Sequence, residues 1–336
     1  MKTANTHPLT LVRSTAGPGT SFLDRQVALE LVHATQAAAI SAHRWIGRGD
    51  KNAADAAAVD AMREHLATVA IAGKIVIGEG EKDAAPMLFN GETVGTGDGP
   101  ALDIAVDPID GTTLTAAGRP NAMCMIAVSE QDTMLDATAA FYMDKIITDA
   151  AGKGAVRLDN TPAANIVALA AAKGKPIDQI QVAVLDRPRH RGLIEEIRAT
   201  GAMPLLIADG DVSAAINAAR PDSPIDIALG VGGSPEGVLT ACAIKALGGH
   251  MQVRLHQQTT GAGTRPGSPP SPPWEAEDLV KGAHALFIAT GLTDGDLLRG
   301  VQRDGTRIST QSLVLSSGTG TMRKIHSDHF LGKGAS

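Results

Sequence analysis

Three short apolar runs in the second half of the chain, Val182-Ala183-Val184-Leu185, Pro204-Leu205-Leu206-Ile207 and Ile225-Asp226-Ile227-Ala228-Leu229, are each followed by a polar turn and then by helical spacing. Strand, turn and helix repeated in that order restrict the chain to an α/β fold. The turns are Asp186-Arg187-Pro188-Arg189-His190-Arg191, Asp209-Gly210-Asp211 and Gly232-Gly233-Ser234-Pro235-Glu236. Loops at the carboxyl ends of strands are where open α/β sheets bind ligands, so chemistry is sought there first.

The first half supplies helices and further strands. Between Arg25 and Ile46, Val27, Leu31, Thr35, Ala38, Ala42 and Trp45 recur at spacings of three and four, one face of a helix. A second helix is expected to start at Asn52 as N-cap, with Val59, Met62, Leu66 and Val69 as its buried stripe and Asp55 in its first turn. Ile75-Val76-Ile77 reads as a buried strand running out into Gly78-Glu79-Gly80-Glu81. Further strands are expected at 102–106, 123–128 and 134–142, then at Ala285–Ala289 and Ser312–Leu315. Residues 256–273, rich in Thr, Gly, Ser and Pro, read as a surface loop.

A chain of 336 residues is long enough for two domains or fused halves. The expected organisation is a leader at 1–20, a half at 21–165 that carries most of the acids, and an α/β half at 166–336. No apolar run approaches the ~18 residues of a membrane span, and the first twenty residues lack the apolar core of a signal peptide. Net charge of −6 and 2% aromatic residues argue against nucleic acid as a partner. Cys124 and Cys242 both sit in apolar surroundings, which suits buried thiols in a reducing, cytoplasmic setting.

Val106-Asp107-Pro108-Ile109-Asp110-Gly111-Thr112-Thr113 places two carboxylates and two hydroxyls where a strand runs into a turn. Pro108 stiffens the backbone and Gly111 tolerates positive φ or close approach of a ligand. Asp55, Glu79, Glu81, Asp107, Asp110 and Glu236 all stand at strand or helix ends near glycine. An all-oxygen set without Cys or His partners selects Mg²⁺ or Mn²⁺ over zinc or copper; separate solvated acids are the alternative.

In the last of the three turns, Ser234 is expected to cap a helix with Pro235 first, so that Glu236 projects beside the open backbone of Gly232 and Gly233. A dinucleotide fingerprint fits poorly, because Gly237 comes too late and no acid follows as far as Leu255. The basic turn 187–191 is either solvated or a grip for a second phosphate, distant from the metals. Asp209 and Asp211 either accept from sugar hydroxyls or cap the helix near Val212.

Asp55, Gly78-Glu79-Gly80-Glu81 and Asp107-Pro108-Ile109-Asp110-Gly111-Thr112 together resemble the metal signature of the lithium-sensitive sugar and inositol phosphatases. Gly47-Arg48-Gly49-Asp50-Lys51-Asn52, Val76–Glu81, Pro188-Arg189-His190 and Gly233-Ser234-Pro235-Glu236-Gly237 narrow the resemblance to the class II fructose-1,6-bisphosphatases, over about residues 22–330. The resemblance implies a layered α-β-α-β-α sandwich. It implies metal ligands at Asp55, Glu79, Asp107, Asp110 and Glu236. Substrate contacts carry over to Asp110, Gly111, Thr112, Tyr142, Pro188, Arg189, His190, Asp209, Gly210, Asp211 and Gly233.

The expected reaction is removal of the 1-phosphate of fructose 1,6-bisphosphate with Mn²⁺ or Mg²⁺, with sedoheptulose 1,7-bisphosphate as a second substrate. Thr112, with Glu81 or Asp83, is expected to orient and deprotonate the attacking water. The rivals are an inositol-type monophosphatase and a non-catalytic metal-binding regulator. A homo-oligomer, dimer or tetramer, is implied as well. The chain departs from the family pattern at 256–273, where members commonly carry a longer charged helical segment, and at Asp110, where some have Glu.

Overall fold

A computed structural model describes residues 23–79, 88–137, 141–256 and 271–330. The leader at 1–20, Glu81, Asp83 and most of the 256–273 loop therefore lie outside the described residues. In chain order the first part runs α1 (Ala28–His43), α2 (Lys51–Leu66), β1 (Ala72–Ile77), β2 (Thr93–Val94), β3 (Ala101–Asp110), α3 (Thr112–Ala116), β4 (Met123–Glu130) and β5 (Tyr142–Thr148). Then come α4 (Pro162–Lys173), β6 (Gln181–Leu185), α5 (Arg191–Ala199), β7 (Met203–Ile207), α6 (Asp211–Ala218), β8 (Ile227–Gly233), α7 (Ser234–Leu247) and β9 (His250–Leu255). The chain closes with β10 (Trp274–Glu275), α8 (Ala276–Leu279), β11 (Ala285–Gly291), β12 (Gln302–Asp304), β13 (Arg307–Ser316) and β14 (Thr321–Phe330).

Two mixed sheets organise these elements. The first runs β12-β13-β11-β4-β3-β1-β2, with β14 paired to β13, and the second runs β10-β9-β5-β8-β6-β7. Alternation along the strands divides the core. Ile104, Val106, Cys124, Ile126 and Ile288 pack with α1 and α2. Ala105, Met125, Ala127, Phe287 and Leu315 face the other way, onto α6, α7 and α8 and the inner residues Met143 and Val253 of the second sheet. Ile146, Val182 and Val184 turn outward to α4 and α5. Small residues make this close layering possible: Ala34, Ala38, Ala39 and Ala42 of α1 are fully buried. No described helix is long and apolar enough to cross a membrane.

Several local expectations shift. The cap of α2 is Asp50, whose side chain accepts from Ala53 N at 2.9 Å. Asn52 is then the second helical residue, Asp55 the fifth, and the first turn carries no acid, so the helix dipole does not favour Asp55 as expected. Gly233, not Ser234, precedes α7, while Glu236 does stand in its first turn and Gly248 ends it at φ +68°. Of the strand expected at 134–142, the described residues hold a bridge at Met134 and strand pairing from Tyr142 onward. The strand expected at 102–106 instead continues to Asp110, because a register shift between Asp107 and Asp110 gives Pro108 a place in the strand without a ladder hydrogen bond. Asp103, on the same strand, accepts from Thr133 N and Met134 N and serves structure.

Buried Asp226, just ahead of β8, accepts from Lys173 Nζ at 3.0 Å, from Lys175 Nζ, and from Gln181 N at 2.9 Å. Lys173 also pairs with buried Asp149 at 3.0 Å. The two lysines hold the Asp226 carboxyl below its ordinary pKa despite burial. Asp226→Ala is expected to cost about 3 kcal/mol, read from the denaturant midpoint, because the lysines lose their buried partner.

Candidate active site

Parallel pairing of β1 with β3 sets the first two acids side by side. The register couples Ile77 with Ala105, so Glu79, just past the end of β1, falls beside Asp107. Asp110 closes β3, and Gly111 at φ +92° turns the chain into α3, which Thr112 starts. Asp55 approaches from α2 and Glu236 from α7. Backbone hydrogen bonds from Gly47 N to Thr115 O and from Gly49 N to Ala116 O, both 2.9 Å, dock the segment leading into α2 against α3.

The electrostatics show that these acids share one space. Burial and then Asp55 and Glu236 push the Glu79 carboxyl up to about 7. Burial raises Asp107 well above the carboxylate range, helped by Asp110, Glu79, Glu236 and Asp55. Asp110 is raised in the same way, by burial and then by Asp211, Glu236 and Asp209. Asp55 and Glu236 are also raised, chiefly by burial. Asp110 Oδ2 and Glu236 Oε2 are buried with no hydrogen-bond partner. Unpaired buried carboxylate oxygens are costly, and an oxygen-seeking cation is the ligand this donor set fits. No three of these acids bring oxygens within 4.8 Å of one another, the spacing that Glu30, His33 and His65 alone reach among the described residues. Such separation is what mutual repulsion among like charges favours.

A raised carboxyl links the centre to stability. Glu79 binds its proton more tightly in the fold than in the unfolded chain, so its contribution is complete below about pH 4.5 and is lost as pH rises through about 7. With the metal chelated, this one group is expected to cost roughly 3 kcal/mol between about pH 5 and pH 8. The melting temperature should fall across that range for wild type and less steeply for Glu79→Gln, in which the other raised acids still titrate. An equally steep fall in the variant would contradict the assignment.

The second sheet adds the remaining expected residues. Gly210, at φ +75°, brings the 209–211 turn against Asp110: a Cβ there would lie 3.5 Å from Asp110 Oδ2. Gly233 leaves far less room, since a Cβ there would fall onto Glu236 Oε2. Asp209 accepts from Arg187 at 3.1 Å, and Asp211 opens α6 behind Gly210 while pairing with Lys145 at 2.8 Å. Both aspartates thus already hold cationic partners.

The basic turn divides its labour. Pro188 starts a short 3₁₀ turn. The exposed Arg189 guanidinium donates to Val231 O at 2.8 Å and lies 5.1 Å over the Tyr142 ring. His190 is buried, and both its ring nitrogens are engaged: Nε2 accepts from Val231 N at 2.8 Å, and Nδ1 lies 2.7 Å from Leu185 O. This fixes the proton on Nδ1 and leaves no free ring nitrogen for a phosphate. Burial lowers the His190 pKa, in keeping with a neutral ring.

One participant escaped the sequence reading. Lys145, buried on β5, draws down the pKa values of Asp110 and Glu236 while pairing with Asp211. A lysine within the run Met143 to Ile147 was the available signal, because buried lysines are rare unless paired.

Carboxylates gathered between two mixed sheets and faced by a basic turn place the chain among α/β proteins with a multi-carboxylate, metal-fitting centre. The chain belongs to the family of bacterial fructose-1,6-bisphosphatases encoded by glpX, whose model matches residues 25–329. It is 42% identical over 323 residues to fructose-1,6-bisphosphatase 1 class 2 of Escherichia coli strain K12, spanning 91% of this chain and 96% of that protein. The class 2 fructose-1,6-bisphosphatase of Shigella flexneri matches to the same extent.

Proposed function

We propose that this chain is a metal-dependent phosphatase that hydrolyses the 1-phosphate of fructose 1,6-bisphosphate, giving fructose 6-phosphate and phosphate. The carrying observation is the convergence of Asp55, Glu79, Asp107, Asp110 and Glu236, with Asp110 Oδ2 and Glu236 Oε2 buried and unpartnered. Those five residues would hold Mn²⁺ or Mg²⁺, which when bound supplies Lewis-acid polarisation of the phosphoryl oxygens and offsets their negative charge.

The protein's own groups then bind and orient. Gly111 presents backbone without a side chain at the turn into α3, and Thr112, half-buried, offers its hydroxyl there. Thr112 orients the attacking water, with Glu81 or Asp83 as the proton acceptor. Tyr142, Arg189, Pro188 and the 209–211 turn receive the sugar and its distal phosphate, and His190 holds the Val231 backbone that Arg189 grips. Binding energy from the distal phosphate positions the scissile bond. Sedoheptulose 1,7-bisphosphate presents the same two ends and is a second substrate. On this reading the two mixed sheets and their helices belong to an α-β-α-β-α sandwich of the sugar-phosphatase type, with the acids mainly in 21–165 and sugar contacts mainly in 166–336. The enzyme works in the cytoplasm as a homo-oligomer.

The test is phosphate release from a panel of sugar phosphates with Mn²⁺, Mg²⁺ or chelator, for wild type and Asp107→Asn. Release is expected from the bisphosphates only with metal, and to drop at least tenfold in the variant, the scale on which loss of one group that supports a metal acts. Activity that survives the chelator would overturn the reading.

A further inference from the structure

We propose that Glu30, His33 and His65 form a second metal site, suited to a borderline divalent ion such as Zn²⁺, that ties α1 to α2 away from the acidic centre. One ligand atom from each of the three lies within 4.8 Å of the other two. Glu30 and His33 are one turn apart on α1, with His33 Nδ1 4.0 Å from Glu30 Oε2. His65 comes from the last turn of α2, and its ring meets that of His33 edge to face at 5.9 Å between centroids. No motif spacing announces the trio, because packing of two helices assembles it.

The donor chemistry separates this site from the first. Two imidazoles and one carboxylate select ions such as Zn²⁺, Ni²⁺ or Co²⁺, whereas the all-oxygen acids select Mg²⁺ or Mn²⁺. Three protein ligands leave the fourth position of a tetrahedral ion to water. Glu30 and His33 are exposed and His65 is half-buried, so an ion enters directly from solvent onto a partly fixed ligand. Asp55 and His65 are ten positions apart on the same helix, about 15 Å at 1.5 Å per residue. An ion at the His65 end therefore stiffens the helix that carries a metal-centre acid without sharing that acid.

The test uses the full-length protein in saturating Mg²⁺. Zn²⁺ is titrated by calorimetry, and Co²⁺ is followed by its visible absorption. Wild type is expected to take up one tightly held equivalent and to melt several degrees higher with it. The His33→Ala, His65→Ala double variant should lose both effects while melting near wild type without zinc. Glu30→Gln, at an exposed position, should weaken binding at least tenfold and serves if the double variant does not fold. Asp55→Asn should keep the Co²⁺ spectrum. Retention of the equivalent in the double-histidine variant, wild-type affinity in Glu30→Gln, or loss of the equivalent in Asp55→Asn overturns the proposal.

Discussion

Asp110→Asn is expected to slow phosphate release from fructose 1,6-bisphosphate by about 10²–10³-fold, the scale on which loss of one preorganised charge-stabilising group acts. The same variant should be more stable than wild type in chelator, by about 1–2 kcal/mol near pH 8. The opposite signs come from one cause. Burial holds the Asp110 carboxyl well above the usual range, the charges of Asp211, Glu236 and Asp209 push it the same way, and its Oδ2 has no hydrogen-bond partner. Without a cation, ionising it adds a charge to an already anionic space; an amide never ionises and brings donors for neighbouring carboxylates. With a cation the ranking reverses, because the amide offers a weaker ligand. Thermal melts and phosphate release, each with and without Mn²⁺, check both halves. A variant that keeps activity within tenfold, or that is less stable than wild type in chelator, would remove Asp110 from the centre.

Four of the five acids stand beside a local marker, Gly78 next to Glu79, Pro108 and Gly111 around Asp107 and Asp110, and Pro235 next to Glu236, whereas Asp55 lies among alanines and has none. Backbone constraints of that kind are written in adjacent residues. Partner choice across the fold is not. The pairing of Lys145 with Asp211 joins β5 to α6 over 66 positions, and the imidazole of His190 spans from Leu185 to Val231. His190 therefore looked like a phosphate ligand by motif, whereas its two ring nitrogens hold backbone. Sheet membership was hidden for the same reason. β11 to β14 return to pair beside β4, while β5 leaves for the second sheet, and apolar runs carry no mark of which strand they will meet. The bulge that keeps β3 running through Pro108 also needed tertiary context, since Asp-Pro reads locally as a strand exit.

Lys145→Met should cost about 3–5 kcal/mol, because it removes one partner of a buried pair and leaves the other charged. The lysine is 6% exposed and Asp211 20%, with 2.8 Å between Nζ and Oδ2. Gly232 makes the fit tight: a Cβ there would fall onto Asp211 Oδ2 and within 2.8 Å of Lys145 Nζ. Lys145 is thus a positioning residue, a cation that partly offsets the upward pKa shifts of Asp110 and Glu236. Its loss should also raise the Mn²⁺ concentration needed for half-maximal phosphate release by about 10–100-fold, the range seen when groups supporting metal ligands are removed. A purely packing role would leave that concentration unchanged, since methionine restores most of the side-chain volume. The second substitution decides between charge and shape. In Lys145→Met, Asp211→Asn both charges are gone, and more than half of the lost stability should return, because the penalty in the single variant is the stranded carboxylate and not a lost attraction. If the double variant is as unstable as the single one, the stranded carboxylate is not the source of the loss and the charge assignment fails.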